Sequence, residues 1–209
     1  MSEWRPNVIV VSGPSGAGKS TILARIVEAR PVLRFSVSHT TRPLRPGEVE
    51  GVDYHFVDRG GFEKLVAQGR FLEYAEVHGH LYGTSASEYD VAAREQKDLL
   101  LDLDVQGARS LRRRLADVVT VFILPPSHKD LVQRIRGRGQ DNEGVIARRL
   151  EAAEDEMKWY SEYDFVLVND DLARCAESLA AIIEASRFKT TRMESEAQKV
   201  LETFPKRRR

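Results

Sequence analysis

Gly13-Pro14-Ser15-Gly16-Ala17-Gly18-Lys19-Ser20 satisfies the pattern G-x-x-x-x-G-K-[ST], with Thr21 following. Glycines let such a loop fold tightly enough to aim several backbone N–H groups at one anion, and a helix starting at its end adds a positive pole. Lys19 then offers a mobile ammonium to the β- and γ-phosphates of a nucleoside triphosphate, and the Ser20 hydroxyl offers a ligand to Mg²⁺. The pattern carries this meaning only between a strand and a helix, and both are signalled here. Residues 8–11 are a β-branched run, and Ile22, Leu23, Ile26 and Val27 recur afterwards with helical spacing.

A phosphate cradle does not name the acceptor of the phosphoryl group. Arg42 and Arg45 stand three residues apart in the proline-stiffened stretch Ser38-His39-Thr40-Thr41-Arg42-Pro43-Leu44-Arg45-Pro46-Gly47-Glu48, where two guanidinium forks could clamp a second phosphate or simply be solvated. Asp102 ends an apolar run, and Asp104 projects to the same side of an extended chain. Arg134, Arg138 and Arg149 lie on or beside residues 137–144, a stretch with three glycines. Such a segment is expected to be mobile and exposed. His78-Gly79-His80 reads as a two-strand turn, since no further ligand completes a tetrahedral set. No Ser, Cys or His constellation for covalent catalysis is evident.

The elements that must position these groups follow from periodicity. Apolar runs at 99–103, 118–124 and 165–168 suit strands buried on both faces of a parallel sheet, and helical patterns follow at 107–115, 127–136, 145–160 and 172–187. The fold class is therefore α/β with a central parallel sheet. Between about 38 and 84, short mixed-polarity runs at 53–57, 71–76 and 81–82 predict a small antiparallel lobe inserted into that core. Ser85 and Glu88 have the spacing of a capping box for the returning helix, and Ser127 with Asp130 resembles one.

Composition bounds the rest. A chain of 209 residues with 42% apolar residues supports one core rather than a disordered segment, and the formal net charge of zero provides no global field to recruit nucleic acid or membrane. Residues 187–209 are locally basic, with eight basic and three acidic residues, and read either as a polyanion contact or as a solvated end frayed after Pro205. The single cysteine, Cys175, excludes a disulfide framework, no apolar run has the length of a membrane span, and no signal segment precedes residue 8. A cytoplasmic location is expected.

Taken in order, Ser12-Gly13-Pro14-Ser15-Gly16-Ala17-Gly18-Lys19-Ser20-Thr21, Ser36-Val37-Ser38-His39-Thr40-Thr41-Arg42, Tyr82-Gly83-Thr84, Leu101-Asp102-Leu103-Asp104-Val105-Gln106-Gly107, Gly137-Arg138-Gly139 and Val168-Asn169-Asp170-Asp171 resemble the guanylate kinases. The likeness runs from about residue 8 to 187. It implies a P-loop three-layer core (1–37, 85–136 and 151–187), a mixed or antiparallel monophosphate-binding lobe (38–84), a short lid (137–150) and a basic tail (188–209). It further implies ATP-dependent phosphorylation of GMP with Mg²⁺, leaving dGMP open, and requires no nucleic acid, membrane or protein partner. By the same resemblance, Gly13, Pro14, Ser15, Gly16, Ala17, Gly18, Lys19, Ser20 and Thr21 hold ATP together with Arg134, Arg138 and Asn169. Ser38, Glu73, Thr84 and Asp104 would hold guanine, whose N1–H and N2–H₂ donors suit carboxylates. Arg42, Arg45, Tyr54 and Tyr82 would hold the GMP phosphate, Ser20 and Asp102 would hold Mg²⁺, and Lys19, Arg42, Arg138 and Arg149 would act in catalysis. A binding module of the same fold that has lost catalysis would need neither Lys19 nor the lid arginines. A P-loop kinase for another small acceptor remains open on the residues alone.

Overall fold

In the computed structural model, which describes residues 4–77, 79–137 and 143–204, the first β-branched run forms β1 (Val8–Ser12), buried at all five positions. The loop at 13–18 leads into α1 (Lys19–Ala29), and a short β2 (Leu33–Phe35) closes the first unit. The chain then builds a lobe from β3 (His39–Thr40), β4 (His55–Phe56), α2 (Arg59–Ala67), β5 (Phe71–Val77) and β6 (His80–Ser85). It returns through α3 (Ala86–Arg94), β7 (Asp98–Asp102), α4 (Val105–Arg114), β8 (Val118–Leu124) and α5 (His128–Gly137). The last part comprises α6 (Glu143–Met157), a 3₁₀ turn (Lys158–Glu162), β9 (Phe165–Val168), α7 (Leu172–Ser186) and α8 (Thr190–Glu202).

The core sheet has the order β2-β7-β1-β8-β9 with every pairing parallel. Alternate residues of β1 serve its two faces. Ile9 and Val11 pack with Ile22 and Ile26 of α1 and with Leu179 and Ile183 of α7, whereas Val8 and Val10 pack with Ala92 of α3 and with Ala108 and Leu111 of α4. Helices thus cover both faces, giving the expected three layers, and each fully buried aliphatic side chain contributes about 1.5–3 kcal/mol of transfer free energy. The lobe sheet has the order β4-β3-β6-β5 and is mixed, since β3 pairs in parallel with β4 and antiparallel with β6.

Several expectations change. The run at 165–168 is not buried on both faces: β9 is an edge strand, and Phe165, Val166 and Val168 are exposed. Ser85 caps α3 through the Ser87 N–H, but the reciprocal capping box does not form, because the Glu88 carboxylate is taken by Arg34 at 3.1 and 3.3 Å. α4 begins two residues before position 107, where the Asp104 carboxylate accepts the Gly107 N–H at 2.9 Å. Residues 190–202 form a helix with no buried residue, tied back where Arg192 pairs with Asp117 at 2.8 Å and donates to the Pro6 carbonyl at 3.2 Å, and the fraying expected after Pro205 lies outside the described residues. α6 crosses position 150 without a break, and most of the glycine-rich stretch falls outside the described residues. Among the described residues, no helix is long and apolar enough to cross a membrane.

Candidate active site

The phosphate-binding loop sits where β1 leaves the middle of the sheet. Register places Val11 beside Asp102 and Ser12 beside Phe122, so the ends of β7 and β8 flank the loop. Gly18 starts α1 at φ 94° with no side-chain cap, leaving the first-turn N–H groups for an anion. Gly13 has φ +145°, and a Cβ there would lie 2.2 Å from the Ile123 carbonyl oxygen. That neighbour is backbone of a buried strand, so only glycine fits.

Gly13, Pro14, Ser15, Gly16, Gly18, Lys19 and Ser20 line one cavity, while Ala17 is buried behind it and Thr21 is exposed on α1. The Lys19 ammonium donates to the Gly13 carbonyl and lies 4.0 Å from Asp102. Burial holds the Asp102 carboxyl above the usual carboxylate range, and Lys19 opposes that shift. Ser20 and Asp102 face the same cavity and are hard oxygen donors. Among the described residues no His, Cys, Asp or Glu cluster forms a metal cage. This set fits Mg²⁺, which usually keeps several waters and binds through few protein oxygens plus substrate phosphates.

Behind the loop, the Asn169 amide donates to the Ala17 carbonyl at 2.7 Å, and Arg134 donates to that same carbonyl at 3.2 Å and to the Asn169 carbonyl at 2.9 Å. Both side chains therefore brace the loop. Arg149, on α6, donates to Ser15 Oγ at 2.9 Å, which brings this helix onto the cradle. Arg138 lies outside the described residues.

The other end of the cavity is lined by Ser38, Tyr54, Glu73, Tyr82 and Asp104. A register shift between Phe71 and Glu73 in the β5–β6 pair marks a bulge, and Glu73 lies only 2% exposed rather than on the solvent side of a hairpin. Its Oε1 accepts the Thr84 N–H at 3.0 Å and the Thr84 hydroxyl at 2.7 Å. Burial pushes the Glu73 carboxyl up to about 7, against the effect of these bonds and with help from nearby Asp104. Thr84 thus stands behind Glu73 rather than on the cavity wall. Burial likewise pushes the Tyr54 hydroxyl up to about 12, so it stays a neutral donor.

Arg42 and Arg45 do not line the cavity. The Arg42 guanidinium is held bidentately by Glu48 at 2.7 and 3.0 Å and lies 5.3 Å from the Tyr54 ring centre. The Arg45 backbone N–H donates to the same carboxylate at 2.8 Å. A phosphate reaching Arg42 must therefore share it with Glu48.

Three contributors escaped the sequence reading. Glu48 fixes the arginine loop; its signal was the acid three residues after Arg45. Glu156 lines the cavity beside the loop from α6, hidden in the acidic run Glu154-Asp155-Glu156. Gly107 lies in α4 where a Cβ would sit 2.8 Å from Glu73 Oε2 and 3.1 Å from Asp104 Oδ1. By the resemblance these carboxylates hold guanine, so Gly107→Ala, which forces them to shift by a few tenths of an ångström, is expected to raise the KM for GMP roughly 10-fold. Steady-state kinetics with GMP varied at saturating ATP check this, and the KM for ATP should stay within about twofold.

Comparisons with known proteins agree with this geometry. The family model described as guanylate kinase matches residues 5–186. A guanylate kinase of Alcanivorax borkumensis is 47% identical over 199 residues, covering 95% of this chain and 96% of that one. One from Alkalilimnicola ehrlichii is 51% identical over 185 residues, covering 88% and 91%. The crystal structure of guanylate kinase from Anaplasma phagocytophilum superposes with a TM-score of 0.76 at 34% identity over 90% of each chain. With sequence likeness and fold likeness both spanning nearly its whole length, the chain belongs to the guanylate kinase family.

Proposed function

We propose that the chain transfers the γ-phosphoryl group of ATP to a phosphate oxygen of GMP, releasing ADP and GDP, by direct in-line displacement. The Pγ bond to the GMP oxygen forms as the bond to the β-phosphate oxygen breaks, and no enzyme side chain is phosphorylated. The acceptor is already an anion, so no strong general base is needed. The observation that carries this reading is a single cavity with a phosphate-binding loop at one end and the buried carboxylate of Glu73 at the other.

In this reading the 13–20 loop and Lys19 hold the β- and γ-phosphates, with Arg134 and Asn169 keeping the loop in shape. Arg149 reaches from α6 toward the transferring group, and Arg138 is assigned the same task from the lid. Mg²⁺, held by Ser20 and Asp102, would neutralise charge on the triphosphate. Glu73 and Asp104 accept the guanine donors, with Ser38 beside them and Thr84 fixing Glu73. Tyr54, Tyr82, Arg42 and Arg45 receive the GMP phosphate. Holding two anions in line and excluding water are what these residues contribute to rate. A cytoplasmic setting is part of this proposal.

ADP release with ATP and Mg²⁺ against GMP, AMP, CMP and UMP tests the proposal. GMP-dependent turnover exceeding that with the other three by several orders of magnitude is the expected result. Turnover with a different acceptor would discard the reading of the lobe, and no acceptor-dependent turnover would make the chain a binding module.

A further inference from the structure

The strand that carries Glu73 is an edge strand. In the lobe sheet β5 pairs with β6 alone, so its outer edge has no sheet partner. Side chains of α4 supply partners instead. Arg114, the last residue of that helix, donates through Nη1 to the Phe71 carbonyl at 2.9 Å and to the Leu72 carbonyl at 3.0 Å. Gln106, in the first turn, donates to the Glu76 carbonyl at 3.4 Å. The spacing of helix and strand agrees with this. From Gln106 to Arg114 the helix rises about 12 Å, and from Glu76 back to Leu72 a strand extends about 13 Å. Core helix and lobe strand therefore run antiparallel and in step, pegged at both ends, with Leu72 packed against the cluster that contains Ala108 and Leu111 of α4.

The bonds of Arg114 fall where register is least secured by the sheet. The β5–β6 pairing shifts between Phe71 and Glu73, and the two carbonyls that Arg114 holds are those immediately before Glu73. A slip of one residue turns a side chain to the opposite face, so what pins the chain here decides whether Glu73 keeps its buried place, only 2% exposed. The same helix holds the second carboxylate, because Asp104 caps α4 by accepting the Gly107 N–H at 2.9 Å. Both carboxylates are thus referenced to one element of the core. The charge of Arg114 acts in the same sense: burial pushes the Glu73 carboxyl up to about 7, and Arg114 is among the groups that oppose this and favour the ionised form.

We propose that Arg114 is a positioning residue for guanine recognition, tying the Phe71 and Leu72 carbonyls to the end of α4 and so fixing the bulge that aims the Glu73 carboxylate at the base. Arg114 does not line the cavity, and it acts through Glu73. The proposal rests on Glu73 reading guanine, and Glu73→Gln tests that separately.

Steady-state kinetics of the full chain, with Arg114→Met and Arg114→Lys made alone and on the Glu73→Gln background, test the assignment. Arg114→Met keeps the length of the side chain but removes its donors, and is expected to raise the KM for GMP roughly 5- to 10-fold, on the scale of a charge-assisted hydrogen bond from an exposed side chain. The KM for ATP and kcat should stay within about twofold, and Arg114→Lys, which keeps a charged donor, should lie between Arg114→Met and the unaltered chain. On the Glu73→Gln background Arg114→Met should change kcat/KM for GMP by less than about twofold, since the group it positions is gone. An unchanged KM for GMP in Arg114→Met overturns the proposal. So does an equal loss on both backgrounds, which a general loosening of the lobe would give, or a KM for ATP that rises in parallel. Should Arg114→Met fail to show a cooperative thermal melt, Arg114→Lys carries the test, and a loss that is absent or equal on both backgrounds overturns it. Unchanged GMP kinetics in Glu73→Gln alone would overturn the reading of the lobe, and this proposal with it.

Discussion

Glu73→Gln is expected to lower kcat/KM for GMP by about 10² to 10⁴ while making the nucleotide-free protein more stable above pH 7. The two effects have one cause. Glu73 is 2% exposed, and burial pushes its carboxyl up to about 7, so ionising it opposes folding. Its folded-state pKa lies above its ordinary value of 4.5, so the native state binds more protons than the unfolded chain between those pH values. Stability from this group is therefore undiminished below about pH 4.5, falls as pH rises, and is fully lost above about pH 7, a loss of about 3 kcal/mol. Glutamine can still accept from the Thr84 N–H and hydroxyl without a desolvated charge, so urea unfolding at pH 8 should show the variant more stable by about 1–3 kcal/mol. What the amide cannot do is accept two guanine donors. Since only the ionised carboxylate accepts them, the KM for GMP should rise as pH falls below about 7, by at most tenfold per unit. The phosphate of GMP titrates nearby as well, at about 6. The Glu73-dependent part is therefore the pH profile of the unaltered chain minus that of Glu73→Gln. A variant with unchanged GMP kinetics would remove Glu73 from guanine recognition.

Lys19→Ala is expected to lower kcat by about 10² to 10³, on the scale of losing one preorganised donor at developing charge. The geometry gives this lysine two tasks. Its ammonium holds the Gly13 carbonyl at the mouth of the loop, and it is the cation opposing the upward shift of Asp102. Removing it leaves the half-buried Asp102 without that partner, so the carboxyl should be protonated over a wider pH range. Lys19→Arg should not restore turnover, because a planar fork cannot replace a compact ammonium beside the backbone of a tight loop. Single-turnover mixing of each variant with ATP and GMP separates the chemical step from binding, and near-normal turnover in Lys19→Ala would exclude the lysine from the transfer step.

The loop and its strand were legible because all their determinants are contiguous. The β-branched run, the glycines and the apolar helix face occupy residues 8–27 and match β1 and α1. Where burial depends on distant partners, local pattern gave less. The run at 165–168 looks like any core strand, and only its position at the end of the sheet order exposes it. α2 was missed because Gly60 and Gly61 lower its helix propensity, although Asp58 caps the Gly61 N–H and Phe62 anchors the helix in the lobe. Residues 33–35 are too few to show a period and become β2 only by pairing with β7. Among the site residues, Glu73 lies in the mixed-polarity run at 71–76, which carries no local sign of its burial, and only the family resemblance directed attention to it. Glu156 was concealed more fully, since an acidic run on a helix ordinarily faces water, and its one usable signal was the spacing of seven from Arg149.

The central place of β1 also bears on how the chain is made. Its neighbours are β7 and β8, which pair with Val8 through Leu99 and Val118 respectively. At about 5–20 residues per second, a ribosome needs on the order of 10 s between releasing Val8 and releasing the end of β8. Throughout that interval a five-residue strand with four apolar residues has only one of its two sheet partners at most, and none until β7 emerges. The strand that carries the phosphate-binding loop is thus open to wrong pairing throughout that interval. Chaperones that shield residues 8–12 until β7 and β8 have emerged should raise the yield of folded protein.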